Sequence, residues 1–278
     1  MRLVRFITET GIRPGFWAKG GIVDLRRIYS DIPDIGESFF RDGWLDRAAE
    51  ISDPEETIDA PLTYPVSQPS KIVCLGRNYA EHAKEGGSDN PEKPLLFCKT
   101  RNALSGPRDP ILLPKSSTQI DWEVELAVII GREGKGIRQE EAFDYIAGYS
   151  VMNDVSGRQA QFSDEQWYRG KSFDTFAPLG PAVVTRDEVE NVDDLRLTAT
   201  VDGELMQDGN TRDLIFKIPF ILEYLSRDIT LLPGDIISTG TPSGVGIFRT
   251  PPVVLEAGNV VECSIEGIGT IRNEVIAG

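Results

Sequence analysis

The sequence predicts an α+β protein in which strands dominate, and three observations carry that reading. Apolar runs are short, roughly four to eight residues, and clusters of Gly, Pro, Asn or Asp bound them. Ile120 to Gly131 alternates acidic and apolar residues before entering a continuous apolar run. Helical spacing is confined to a few short segments, while the last hundred residues are mostly strand and turn.

Taken in order, residues 1–67 read as a small N-terminal α+β domain. Leu3 to Thr8 and Gly21 to Leu25 are short strands with Gly20-Gly21 marking a turn, and Ser38 to Ile51 has helical spacing through Phe39, Phe40, Leu45 and Ala49. Asp53 to Ser70 carries Pro54, Pro61, Pro65 and Pro69, which cannot continue a helix, so it reads as a linker over the surface. The larger domain, residues 68–278, follows. Lys71 to Gly76 is a buried strand, Arg77 to Glu85 a polar loop entering a helical turn, and Leu95 to Lys99 another strand. A helix is expected over about Gln139 to Tyr149, and a strand over Tyr149 to Val155 that ends beside Asp154. Leu195 to Val201 and Glu204 to Gln207 form a hairpin, Pro219 opens a helix to Arg227, Ile236 to Thr239 is a strand, and Val260 to Val275 is a closing hairpin that completes the sheet.

Chemistry enters at Glu123 and Glu125. Side chains alternate across a strand, so residues at i and i+2 leave on the same face. Two anions beside an apolar run repel one another and lose hydration, which calls for a cation between them. A hard divalent ion such as Mg²⁺ fits, given a third carboxylate, and Asp154 at the end of its strand supplies one. A solvated acidic strand face has the same spacing, because 44 acids in 278 residues give acid-x-acid roughly seven times by chance. His82, the only histidine, has Glu85 three residues on, close enough to orient its imidazole on one helical face. An exposed histidine with an incidental neighbour is the other reading. The flexible Gly86-Gly87-Ser88-Asp89-Asn90-Pro91 segment would let the pair act as a lid. Arg158, Gln161 and Lys171 would form a cationic, hydrogen-bonding wall for an acidic substrate. Gly240 to Gly246 offers backbone N–H groups and the Thr241 hydroxyl to a carboxylate.

Composition removes several function classes. A net charge of −15 with no Lys/Arg cluster argues against nucleic acid. No apolar run approaches the ~20 residues that span a bilayer, and the charged first residues do not resemble a signal sequence, so no membrane partner and a cytoplasmic location are expected. Cys74, Cys98 and Cys263 lack paired metal spacing and are expected to be reduced, buried thiols.

The ordered segments Gly76-Arg-Asn-Tyr-Ala-Glu-His-Ala-Lys-Glu85, Asp121-Trp-Glu-Val-Glu-Leu126, Asn153-Asp-Val-Ser156, Gly170-Lys-Ser-Phe-Asp-Thr175 and Ser238-Thr-Gly-Thr-Pro-Ser-Gly-Val-Gly246 resemble the fumarylacetoacetate hydrolase family. The resemblance runs from about Lys71 to the C-terminus. It implies a rolled mixed β-sheet catalytic domain behind a small N-terminal domain, a homodimer, and Mg²⁺ or Mn²⁺ on Glu123, Glu125 and Asp154. It also implies a water-activating pair in His82 and Glu85, and substrate contacts from Arg158, Gln161, Lys171, Gly240 and Thr241. Where the family often reads Ala-Arg-Asp, this chain has Gly157-Arg-Gln159, which keeps Arg158 but changes its neighbour.

The chemistry so implied is hydrolysis of a C–C bond in a 2,4-dioxo acid such as an acylpyruvate, giving pyruvate and a carboxylic acid. The metal would serve as electron sink, His82 as base, and Lys171 and Gln161 would face the oxyanion. The same sink serves oxaloacetate decarboxylation, 2-hydroxy-dienoate isomerisation or a ureidoglycolate lyase reaction. A non-catalytic, metal-stabilised binding protein is the alternative of a different class.

Overall fold

A computed structural model describes residues 1–51 and 56–278. Strands outweigh helices, and an eleven-stranded mixed sheet forms the frame. At its centre Val124–Ile130 pairs antiparallel with Ile146–Asn153 on one side and with Ile236–Ser238 on the other. Every residue of Val124–Ile130 is buried, as is every residue of Ile146–Asn153, which is why both read as long apolar runs. Ile236–Ser238 then pairs parallel with Ile72–Gly76, whose other neighbour is Leu95–Lys99.

The N-terminal strands join this sheet. Arg2–Thr8 pairs with Gly11–Ala18 and, through Arg2 and Leu3, with Ala177–Thr185 of the larger part. Leu3, Phe16 and Val23 share one core with Ile72, Leu126 and Val151. The proline-rich stretch is less superficial than expected: Leu62–Thr63 adds to the edge of Arg2–Thr8 and Val66 is fully buried. Pro54, like the rest of 52–55, lies outside the described residues.

Several expected elements are redrawn. The helix over Ser38 to Ile51 is two, Glu37–Arg41 and Trp44–Ala49, because Gly43 turns left-handed between them (φ 75°). Residues Gln139–Tyr145 form a 3₁₀ turn and the chain is already extended at Ile146. Gly148 lies so close to the neighbouring strand that a Cβ would fall 2.2 Å from the Val184 carbonyl oxygen. The closing hairpin, Val260–Ile265 with Gly269–Ala277, belongs to a second, five-stranded sheet with Arg196–Val201, Glu204–Asn210 and Ile111–Leu113. Besides short strands such as Ile111–Leu113, two long ones went unread. Gly11–Ala18 contains Pro14, and Ala177–Thr185 contains Pro178 and Pro181. Proline cannot donate to a ladder, and the register with Ile146–Asn153 slips between Val184 and Gly180, where Pro181 falls. Of the cysteines, Cys74 and Cys263 are buried, whereas Cys98 is exposed on the outer strand Leu95–Lys99.

Candidate active site

The sheet register builds the acidic cluster. Val124 stands opposite Asn153, and the Asp154 N–H donates to the Glu123 carbonyl at 2.8 Å, so Asp154 lies across from Glu123. Glu123, Glu125 and Asp154 are all buried, and each offers a carboxylate oxygen within 4.8 Å of the others. The single expected strand is interrupted at Trp122 and Glu123, where side chains replace the ladder. The Trp122, Glu123 and Val124 N–H groups donate to Asp121 (2.9 Å), Asn153 (3.0 Å) and Gln207 (3.0 Å). Glu123 and Glu125 nevertheless converge, as the alternation predicts.

Three cations meet these acids. Lys171 Nζ donates to Glu123 Oε2 at 2.5 Å and to Asp154 Oδ2 at 2.7 Å. Lys99 Nζ donates to Asp154 Oδ1 at 2.5 Å, and Arg158 donates to Glu123 Oε1 at 2.6 Å. Among the described residues Glu125 receives only neutral donors, both on Oε2: Ser238 Oγ at 2.5 Å and the Gly240 N–H at 2.9 Å. The electrostatics follow. Burial pushes the Glu123 carboxyl up, but Lys171 and Arg158 outweigh it and hold the group below the usual range. Burial pushes Glu125 well above that range, and Asp154 and Glu123 push it further. Burial lowers Lys99 despite Asp154, whereas Asp154 and Glu123 outweigh burial and raise Lys171.

Counting Asp121 and taking every group as ionised, the buried cluster holds four carboxylates against Lys99, Arg158 and Lys171, a formal excess of one negative charge that falls on Glu125, the acid bonded to neutral donors. An all-oxygen donor set with that excess fits a hard divalent cation, so Glu123, Glu125 and Asp154 suit Mg²⁺ or Mn²⁺.

The cluster opens into a narrow cavity of about 50 Å³, whose lining includes His82, Gln161, Phe248 and Arg77. His82 sits on the helix Ala80–Glu85, 8% exposed, with Nδ1 2.8 Å from Glu85 Oε1. A carboxylate at Nδ1 fixes the tautomer with the proton there and leaves Nε2 basic. Glu85 Oε2 also accepts the Gly244 N–H at 2.9 Å, tying this helix to the Gly240–Gly246 turn. Gly86, the first residue of the segment expected to act as a lid, lines the cavity and packs against Phe248, where a Cβ would meet the ring at 3.2 Å.

Arg158 and Gln161 share a helical face as their spacing predicts: Arg158 donates to Gln161 Oε1 at 2.9 Å, and the Gln161 amide N–H₂ has no partner among the described residues. Lys171 completes that wall. Thr241 lines the cavity, but its hydroxyl donates to the Val124 carbonyl at 2.9 Å and accepts from Gln207 at 2.8 Å. The Gly240 N–H is likewise engaged with Glu125, so both serve inside the protein in this conformation.

Two buried residues passed unnoticed in the sequence. Lys99 looked like the polar end of a strand, and nothing local marks it. Asp121 accepts from Arg158 Nε (3.1 Å) and a terminal nitrogen (2.9 Å), and from the backbone N–H groups of Gly246 (2.7 Å) and Ile247 (2.9 Å). It is the partner Arg158 needs where Gln159 replaces an acid, since Gln159 instead accepts the Thr118 N–H. The signal was present: Asp121, Glu123 and Glu125 alternate as three acids in one run.

The fold and cluster together define an enzyme type with a buried oxygen-ligand trio able to hold a divalent metal, facing an oriented His–Glu pair. The chain belongs to the fumarylacetoacetate hydrolase family, since residues 71–276 match the model for the fumarylacetoacetate (FAA) hydrolase C-terminal domain. The bovine mitochondrial oxaloacetate tautomerase FAHD2B is 43% identical over 99% of this chain and 92% of its own length. A fumarylacetoacetate hydrolase structure from Exiguobacterium antarcticum superposes with a TM-score of 0.86 at 37% identity, covering 100% of both chains. A 2-hydroxyhepta-2,4-diene-1,7-dioate isomerase structure from Mycobacterium marinum gives 0.79 at 35% identity, covering 100% of this chain and 98% of that one. No helix among the described residues is long and apolar enough to cross a membrane.

Proposed function

We propose that this chain is a divalent-metal-dependent tautomerase that moves a proton between C3 and the keto oxygen of a 2-oxo acid, with oxaloacetate as the leading substrate. The observation that carries the reading is one cavity holding both the Glu123, Glu125 and Asp154 cluster and the His82–Glu85 pair. The name of the bovine relative, similar over nearly the whole chain, favours proton transfer over C–C hydrolysis.

The cation would supply Lewis acidity at the 2-oxo acid, making the C3 proton more acidic. His82 Nε2 takes that proton, and Glu85 at Nδ1 stabilises the imidazolium that results. Lys171, kept protonated by Glu123 and Asp154, and the Gln161 amide face the negative charge that develops on the keto oxygen. Returning the proton to that oxygen completes the enol. The His82 helix and Phe248 cover the reacting centre and limit water. Hydrolysis of a 2,4-dioxo acid, expected from the sequence, would direct the same base at water. A cytoplasmic setting and a homodimer complete the proposal; the bovine relative's name places that protein in mitochondria.

The test follows enol–keto interconversion of oxaloacetate by ultraviolet absorbance with Mg²⁺ or Mn²⁺, beside assays of oxaloacetate decarboxylation and acetylpyruvate cleavage. Metal-dependent interconversion faster than either other reaction is expected. Acetylpyruvate cleavage without accelerated interconversion would replace the tautomerase reading with the hydrolase one.

A further inference from the structure

The geometry points to Arg77 as the residue that selects 2-oxo acids bearing a second carboxylate, by pairing with that distal group at the cavity mouth. This inference rests on the 2-oxo acid reading above and narrows its substrate class. Arg77 follows the buried strand Ile72–Gly76 and lines the same cavity as Glu125 and His82. Its backbone is left-handed (φ 56°), a conformation a non-glycine residue adopts at a cost and one that here turns the chain at the rim.

Its electrostatic position sets it apart from the other cations of the cavity. Arg158 is shared between Asp121 and Glu123, and Lys171 between Glu123 and Asp154. Among the described residues, the Arg77 guanidinium has no carboxylate and no hydrogen-bond acceptor. Its neighbour is the Trp167 ring, 5.9 Å from the guanidinium carbon to the centroid. A cation over an aromatic face keeps its N–H edge available, so the ring props the guanidinium while leaving its fork for a planar anion. The prop is itself built in: Gly76 lies so close to Trp167 that a Cβ would stand 2.5 Å from the ring, and Phe97 packs edge-on to the indole at 5.4 Å between centroids. In a protein of net charge −15, an unpaired cation at the mouth of an acidic cavity also offsets repulsion of an incoming dianion.

A 2-oxo acid presents its carboxylate and keto oxygen to the cluster, so a substituent on C3 extends toward the mouth. If that substituent is a carboxylate, as in oxaloacetate, Arg77 is the unneutralised cation there to meet it. An acyl group, as in an acylpyruvate, gains no ion pair. Because Arg77 is exposed, its contribution should be modest and salt-sensitive.

The experiment compares wild type, Arg77→Ala and Arg77→Lys, all loaded with Mn²⁺, in two measurements. Steady-state assays give kcat/KM for oxaloacetate and for acetylpyruvate. Calorimetric titration gives the affinities for malate and lactate, which share a chelating 2-hydroxy acid end and differ by the second carboxylate. Arg77→Ala is expected to lose about tenfold toward the dicarboxylates alone, with partial rescue by lysine and a preference that shrinks at high salt. Equal losses on both members of each pair would make Arg77 a structural turn residue and overturn the inference, as would no change. If wild type turned over neither oxo acid, the 2-oxo acid reading would fail, while the malate-to-lactate ratio would still decide what Arg77 recognises.

Discussion

The floor of the cavity is carried by Val124–Ile130, hydrogen-bonded to a neighbouring strand on each side, whereas its outer wall is carried by a six-residue helix and a turn pinned by side chains. On the floor, main-chain bonds to both neighbours fix the strand, and the Asp154 N–H and the Asn153 side chain set Asp154 across from Glu123. On the wall, Glu85 holds the Gly244 N–H, and Asp121 holds those of Gly246 and Ile247. The difference shows two ways of placing charged groups. A sheet can hold acids in a repulsive cluster because its backbone is over-determined, while a turn at the rim needs a carboxylate to hold it still.

Breaking the floor should have the largest effect. Glu125→Ala removes the carboxylate on which the formal excess charge falls, and turnover is expected to fall to the solution background with loss of bound metal, read by elemental analysis of the dialysed protein. Chelation followed by Mg²⁺ readdition should remove and restore activity in wild type. Full metal content and activity in Glu125→Ala would show that the floor does not work as described.

Next is the wall's chemistry without its support. His82→Ala should lower oxaloacetate interconversion by about 10²–10⁴-fold while metal content stays unchanged, since His82 is not among the cluster's oxygen donors. Parallel loss of metal would mean that the two regions are not separable.

The support itself comes third. Asp121→Ala leaves the buried Arg158 half-paired and the N–H groups of Trp122, Gly246 and Ile247 without their acceptor, so urea unfolding should show a loss of roughly 3–5 kcal/mol. Asp121→Asn, which keeps an acceptor, should cost less. A wild-type unfolding midpoint in Asp121→Ala would sink the claim that this residue secures the wall.

The same contrast explains what the sequence could reveal. Floor residues obey period two, so Glu123 and Glu125 were readable from spacing, and Asp154 from its place at the end of an apolar strand. Arg158 and Gln161 obey helical spacing and meet as expected. Lys99 lies 55 residues from Asp154, and only the order of the strands brings them together. The occupation of the Thr241 hydroxyl and the Gly240 N–H depends on Val124, Gln207 and Glu125 in other segments, which no local pattern discloses. Ala177–Thr185 went unread, because it carries Pro178 and Pro181 and a register slip accommodates what a regular strand would reject.

Asp121 grips the turn by its main chain, and that has a consequence for how the site could be rewritten. Gly246 cannot change, since a Cβ would come 2.1 Å from the Val253 carbonyl oxygen and 2.9 Å from Asp121 itself. The side chains of Ile247 and Phe248 take no part in the clasp. Phe248 overlooks both His82 and Arg158, with ring-to-ring and ring-to-guanidinium separations of 6.2 and 6.0 Å. The fastening and the lettering of this wall are thus separate variables. A library confined to position 248 could reshape what the cavity admits without loosening the hinge of acid and amide that holds it in place.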